Sequence, residues 1–247
     1  MHPVEVKPAW RGAPAGIFTL TLGFVLASSA ARAAAMFGPP GWRVLFMLMC
    51  IAMMALPWLV LSREGRRQIG LQWPRHAGWI PLGLLLGGCA ASACYLIGAA
   101  LYGAGIGHPF VSVARNYLLQ EPDGWSLLRL HLTFTVAACL FSPLGEEIFY
   151  RGFLQKVLAD RYGATPATAM EAGLFALVHL CHHGILVTAA GVVLLPASGA
   201  LWVGQMFLLA LLFAWLRRGA ASLLPAIAAH AAFNAAMNAW IFARLWP

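Results

Sequence analysis

Seven long stretches of this chain carry almost no charge, and that leaves it few folds. They lie at about 17–36, 44–61, 79–102, 125 onward, 167–180, 200–216 and 223–245. A helix needs about 20 apolar residues to cross a bilayer. In hydrocarbon every backbone N–H and C=O must find its partner inside the protein, so stretches of this length fold as helices. Hydrophobic residues make up 61% of the chain and charged residues 10%, against roughly a quarter charged in soluble domains. The expected fold is all-α: a polytopic transmembrane bundle of about seven spans in one integral membrane domain, residues 1–247. No internal repeat or linker divides it. The fourth run continues to Tyr162, longer than one crossing, before Gly163 and Pro166 interrupt it. The third is rich in glycine and alanine, which lets neighbouring helices approach closely. The segment 108–124 reads as a loop. The segment 184–198 is apolar but short: a re-entrant piece, a partial eighth span, or a loop in the interface.

Charge sets the expected orientation. The connection 63–75 holds Arg63, Arg66, Arg67 and Arg75, so it belongs on the cytoplasmic side. Two spans precede it, which puts Lys7 and Arg11 on that side too. Counting onward, Arg151, Lys156 and Arg161 fall there, as do Arg217 and Arg218 if 184–198 does not fully cross, and the loop with Glu121 and Asp123 falls outside. The expected location is the cytoplasmic (inner) membrane of the cell, with the N-terminus in the cytoplasm. The net charge of +8 follows from basic residues flanking membrane helices, and no nucleic-acid partner is expected. Cys50, Cys89, Cys94, Cys139 and Cys181 lie in or beside apolar runs without a CxxC pair. They read as small buried hydrophobes.

Three polar groups interrupt the apolar runs. Glu146, Glu147 and Arg151 form the first. A carboxylate at membrane depth costs several kcal/mol unless it is paired or faces a wet cavity. Glu147 and Arg151 are four residues apart and share a helix face, while Glu146 points about 100° away. A solvated helix end would account for Arg151 but poorly for two adjacent glutamates. The second group is Phe175 with His179, followed by Cys181, His182 and His183. His182 and His183 read as interfacial residues at a helix end, with metal binding the sharper alternative. The third is His230 and Asn234, one turn apart on an alanine-rich helix. Their bland reading is an interhelical hydrogen-bond clamp.

Together these supply a carboxylate, two histidines and an asparagine from three helices. No serine, threonine or cysteine accompanies all three motifs, which leaves water as the nucleophile. A glutamate can act as general base toward water with a histidine sharing the proton. A second histidine and an asparagine can donate to a developing oxyanion. Those are the groups that amide hydrolysis requires.

The pattern Glu-Glu-x-x-x-Arg, Phe-x-x-x-His, His-x-x-x-Asn, at Glu146, Glu147 and Arg151, Phe175 and His179, and His230 and Asn234, resembles the CPBP family. These are the CAAX-processing and bacteriocin-processing intramembrane glutamic endopeptidases. The resemblance covers about 127–240, the expected catalytic core. It implies a site in a cavity reached from one face of the membrane. Glu146 and His179 would activate water, His230 and Asn234 would bind the oxyanion, and Glu147 and Arg151 would support them. It implies no cofactor and no metal. The expected partners are the lipid bilayer and a membrane-anchored protein or peptide substrate, such as one with a C-terminal sorting or lipidated tail. Two alternatives stand beside it. One is a zinc protease with Glu146, His179 and His230 as ligands; the other is a non-catalytic bacteriocin-immunity or scaffold member of the same family.

Overall fold

A computed structural model describes residues 3–118, 124–188 and 191–246 of the chain. Ten α-helices and one short hairpin follow one another among these residues. The helices are α1 (Pro14–Phe37), α2 (Val44–Val60), α3 (Arg63–Gln68), α4 (Trp79–Tyr102), α5 (Pro109–Leu118), α6 (Leu127–Glu146), α7 (Gln155–Tyr162), α8 (Ala164–Val178), α9 (Pro196–Ala220) and α10 (Leu224–Trp240). Seven segments are long and apolar enough to cross a membrane: Ala15–Phe37, Pro40–Val60, Trp79–Tyr102, Leu127–Tyr162, Ala164–Cys181, Pro196–Ala220 and Leu224–Leu245. The chain is therefore a multi-pass membrane protein.

The Leu127–Tyr162 rod is 36 residues long. Ser126 starts it by accepting a hydrogen bond from the Arg129 amide, which satisfies one of the donors a helix start leaves over. Between α6 and α7 the rod widens into a π-helical stretch, Glu147–Leu154, every residue of which is buried. π-Helical turns inside α-helices are frequent at functional sites, and this one carries both Glu147 and Arg151. Gly163, at φ 86°, takes the left-handed conformation open to glycine and reverses the chain into α8.

Two expectations need correction. Residues 108–124 are not all loop: Pro109–Leu118 is a helix, with Phe110, Val113 and Ala114 buried. The apolar spacing Phe110, Val113, Ala114, Tyr117 is that of an amphipathic helix, too short to register as a span. Glu121 and Asp123 lie outside the described residues. The segment 184–198 is neither a span nor an unstructured loop. Ile185–Thr188 (β1) and Gly191–Leu194 (β2) pair antiparallel, Ile185 opposite Leu194 and Thr188 opposite Gly191. Four-residue strands reach about 13 Å, well short of the roughly 30 Å hydrocarbon layer. Val187, Val192, Val193 and Leu194 are exposed, so an apolar hairpin projects from the bundle.

The buried apolar side chains form two groups. One joins α1, α2, the π-helical stretch, α7 and α8 through Met53, Phe149, Phe153 and Phe175. The other joins α4, α5, α9 and α10 through Phe110, Trp202, Phe213 and Phe233. The closest packing in the second is α4 against α10. A methyl on Gly83 would meet the Pro225 carbonyl oxygen at 2.4 Å, and one on Gly87 the Ala229 carbonyl oxygen at 1.9 Å. These glycines, four apart, let the backbones touch. Gly145 does the same between α6 and α2, where an added methyl would lie 2.7 Å from the Cys50 carbonyl oxygen.

The two ends of the bundle are tied differently. At the basic end, Val4 N–H donates to Asp160, Arg217 donates to Gln155 and to the Gln68 carbonyl, and Arg218 donates to Thr168. At the other end, Arg43 donates to the Asn116 carbonyl and Tyr117 to Asn238.

Candidate active site

Glu146, Glu147 and Arg151 are fully buried, and they meet His179, His230 and Asn234 at the seam between the two apolar groups. Glu147 is the hub of one half. Its Oε1 accepts from Arg151 Nη1 at 3.1 Å and lies 2.8 Å from His230 Nδ1. A carboxylate only accepts, so His230 carries its Nδ1 proton toward Glu147 and turns Nε2 to Ser142 Oγ, 3.5 Å away. Arg151 reaches a second carboxylate, Glu171, with Nε 3.5 Å from Oε1. Its guanidinium lies 3.8 Å from the centre of the Phe175 ring and 5.2 Å from that of Phe213. The phenyl of Phe175 thus holds the cation by its ring face.

Glu146 has other partners. Its Oε1 accepts from Arg32 Nη2 at 2.5 Å and from Ser142 Oγ at 3.0 Å. Its Oε2 is 3.9 Å from His179 Nε2 and accepts no hydrogen bond from the described residues. His179 Nδ1 lies 2.6 Å from the Phe175 carbonyl. A carbonyl is an acceptor, so Nδ1 bears the proton and Nε2 presents a lone pair beside Glu146. The His179 carbonyl in turn accepts from Trp202 Nε1 at 3.1 Å, which fixes the end of α8 against α9. Asn234 Nδ2 donates to the Ala138 carbonyl at 2.9 Å, so the amide ties α10 to α6. This is the geometry of a clamp. One N–H of the same amide remains for another acceptor.

Sequence reasoning missed three participants. Arg32 is a single charge within the first apolar run, yet it is 2% exposed and pairs with Glu146. Glu171 is fully buried on α8, one more acidic residue within an apolar stretch. Ser142 stands four residues before Glu146 on the same helix face. For the two acidic and basic residues the signal was present, since a charge inside a spanning helix faces the interior or a partner.

His182 and His183, just past the span that ends at Cys181, take part in the packing of the bundle. Arg32 Nη1 lies 3.0 Å from His182 Nε2. Burial, aided by the Arg32 charge, pushes His182 down to about 3, so its neutral ring accepts from the guanidinium. His183 is fully buried. Its two nitrogens lie 2.7 Å from Ser112 Oγ and 3.0 Å from Ser198 Oγ, which joins α5 to α9. Burial pushes it down to about 4. Among the described residues no group of three His, Cys, Asp or Glu side chains is placed to hold a metal ion.

The site borders a cavity of about 300 Å³. Ser142, His179, His230 and Asn234 line it together with Phe46, Phe134, Phe141, Trp202, Phe233 and Met237. The walls are mostly apolar and aromatic, with Ser142, His179, His230 and Asn234 at the site and Arg43, Asn116 and Tyr117 farther along the lining. Such a space accepts a hydrophobic chain and orients one polar bond within it.

No curated protein and no solved structure matches the chain to a significant degree. One family does. The match runs from the second residue of α6 to two residues beyond Asn234 and takes in all three polar motifs: residues 128–236 are similar to the Rce1-like family, described as Type II CAAX prenyl endopeptidase Rce1-like.

Proposed function

We propose that this protein is an intramembrane endopeptidase of the glutamic type. It hydrolyses a peptide bond in a membrane-associated or hydrophobic-tailed protein or peptide. Glu146 and His179 are its base pair, and His230 and Asn234 are its oxyanion donors. The observation that carries this reading is the 3.9 Å separation of Glu146 Oε2 and His179 Nε2. Both atoms are acceptors and the distance is too long for a hydrogen bond between them. One water can donate a proton to each and turn its lone pair toward a bound carbonyl. Glu146 then takes a proton as the water oxygen attacks, and His179 shares it. The negative charge that develops on the carbonyl oxygen is met by the second N–H of Asn234. His230 Nε2 joins it when that ring carries a second proton, held by Glu147 at Nδ1. The captured proton returns to the departing amine.

Glu147 and Arg151 position rather than react. Glu147 orients the His230 ring, and Arg151, braced between Glu147, Glu171 and two aromatic rings, keeps Glu147 in place. Arg32 and Ser142 orient the Glu146 carboxylate. The substrate class follows from the apolar walls and from the family's endopeptidases.

Glu146→Gln tests the reading. It removes the proton acceptor at nearly constant volume, so cleavage of a single-span reporter with a hydrophobic tail should fall by about 10² to 10⁴. The buried Arg32 loses its ion partner, so melting temperature should fall as well, and turnover is compared per folded protein. Cleavage at the wild-type rate would sink the assignment. Lack of cleavage by the wild-type protein against a broad panel of tailed reporters would favour a non-catalytic member of the family.

A further inference from the structure

The two ends of the bundle differ in charge and in access to the cavity. Ten of the sixteen lysines and arginines lie in segments 3–13, 61–78, 155–163 and 217–223, and four lie in segments 38–43, 103–129 and 241–246. The remaining two are the buried Arg32 and Arg151. Basic connections are retained on the cytoplasmic side. The bias therefore makes the end built by α3, α7 and the α9–α10 turn cytoplasmic, and the end carrying α5 and the hairpin non-cytoplasmic.

The cavity belongs to the second end. Its lining runs from His179 and Ser142 to Met36 in the last turn of α1, to Arg43 just before α2, and to Asn116 and Tyr117 on α5. The site is also shallow from that side. Arg32 stands five residues before the end of α1, which is about 8 Å at the rise of an α-helix. Toward the basic end the path is closed. Leu154, Ile69 and Leu223 are buried beneath the site. A methyl on Gly152 would already crowd Leu223 Cδ1 at 3.2 Å and Ile69 Cδ1 at 3.3 Å. The Leu223 amide is bonded to the Gly70 carbonyl at 2.9 Å, which locks the α9–α10 turn to the connection after α3.

We propose that the cavity opens to the non-cytoplasmic side of the membrane. Its substrate is then an apolar peptide segment whose scissile bond lies at the non-cytoplasmic leaflet, such as the outer end of a membrane anchor. A tail presented from the cytoplasm does not reach the site. The bond cleavage in this statement rests on the endopeptidase reading above; the sidedness does not, because it comes from charge and shape alone.

Two measurements keep the parts separate. In the full-length chain with its native cysteines replaced, one cysteine is placed at the cavity mouth (Met36→Cys) or at the basic end (His76→Cys). Intact cells are treated with a charged, membrane-impermeant maleimide. Met36→Cys should label in intact cells, and His76→Cys only after permeabilisation. The reverse pattern overturns the proposal. Trp42→Cys, on the exposed 38–43 connection, reports the same side if Met36→Cys fails to accumulate. The second measurement uses two single-span reporters with the same apolar cleavage segment at the non-cytoplasmic or the cytoplasmic end. Cleavage confined to the first is expected, and cleavage confined to the second overturns the substrate assignment. Cleavage of neither, with the expected labelling, overturns the endopeptidase reading and the substrate assignment while the sidedness stands.

Discussion

Gly87→Ala should damage the site without touching a site residue. Gly87 packs against the backbone of α10 at Ala229, the residue before His230. An alanine methyl there would sit 1.9 Å from the Ala229 carbonyl oxygen, where ordinary contact begins near 3.4 Å. The obstacle is backbone, so relief requires α10 to move off α4 by about 1.5 Å or to rotate. That displacement acts on a helix whose far face holds His230 at 2.8 Å from Glu147 and Asn234 at 2.9 Å from the Ala138 carbonyl. Overpacking of this kind costs about 1–3 kcal/mol, and a 1 Å misplacement of a catalytic group costs on the order of 10²-fold in rate. The control is the next residue: an alanine methyl at Gly88 meets nothing within 4 Å. Turnover on a tailed reporter and melting temperature in detergent should fall for Gly87→Ala and stay at wild-type values for Gly88→Ala. Equal behaviour of the two variants, in either direction, would refute the claim that close α4–α10 contact sets the position of His230 and Asn234.

Three further outcomes follow from the same geometry. Arg151→Ala leaves Glu147 and Glu171 buried together without their shared cation, so it should cost about 3–5 kcal/mol, read as loss of expression or melting temperature along with activity. An inactive variant of full stability would make Arg151 a direct contact of the substrate instead. Asn234→Ala should lower turnover by about 10² to 10³ with little change in substrate affinity if the amide meets the oxyanion. A loss of about 1 kcal/mol in stability with most activity retained would identify it as the α6–α10 clamp alone. Glu171→Gln weakens the second brace on Arg151, so we expect lower turnover at unchanged substrate affinity; wild-type turnover would show that Glu147 and the aromatic rings alone hold Arg151 in place.

Apolar length and punctuation made the spans legible, because hydrocarbon dictates helices and helices need a fixed count of residues. The pairs Glu147–Arg151 and His230–Asn234 were legible as shared faces because helical spacing is local. Helix α5 was not read, since its ten residues fall below the length that hydropathy detects and only its apolar spacing marks it. The hairpin escaped because an apolar stretch of that size is equally compatible with a strand pair and a partial helix. Harder to read was the choice of partners between helices. Arg32 lies 114 residues before Glu146 in sequence, and no local pattern joins them. Charge counting nonetheless constrains the answer. Among the described residues five acidic or basic side chains are buried within the spans: Arg32, Glu146, Glu147, Arg151 and Glu171. Burial of any one alone is prohibitive, so they had to meet one another inside a single bundle. The three carboxylates then share two guanidinium groups: Glu146 pairs with Arg32, while Glu147 and Glu171 share Arg151. Glu147 also takes the His230 imidazole at Nδ1, which leaves Nε2 facing Ser142 and the cavity, so the contacts that make the buried charges tolerable are also the ones that aim the ring.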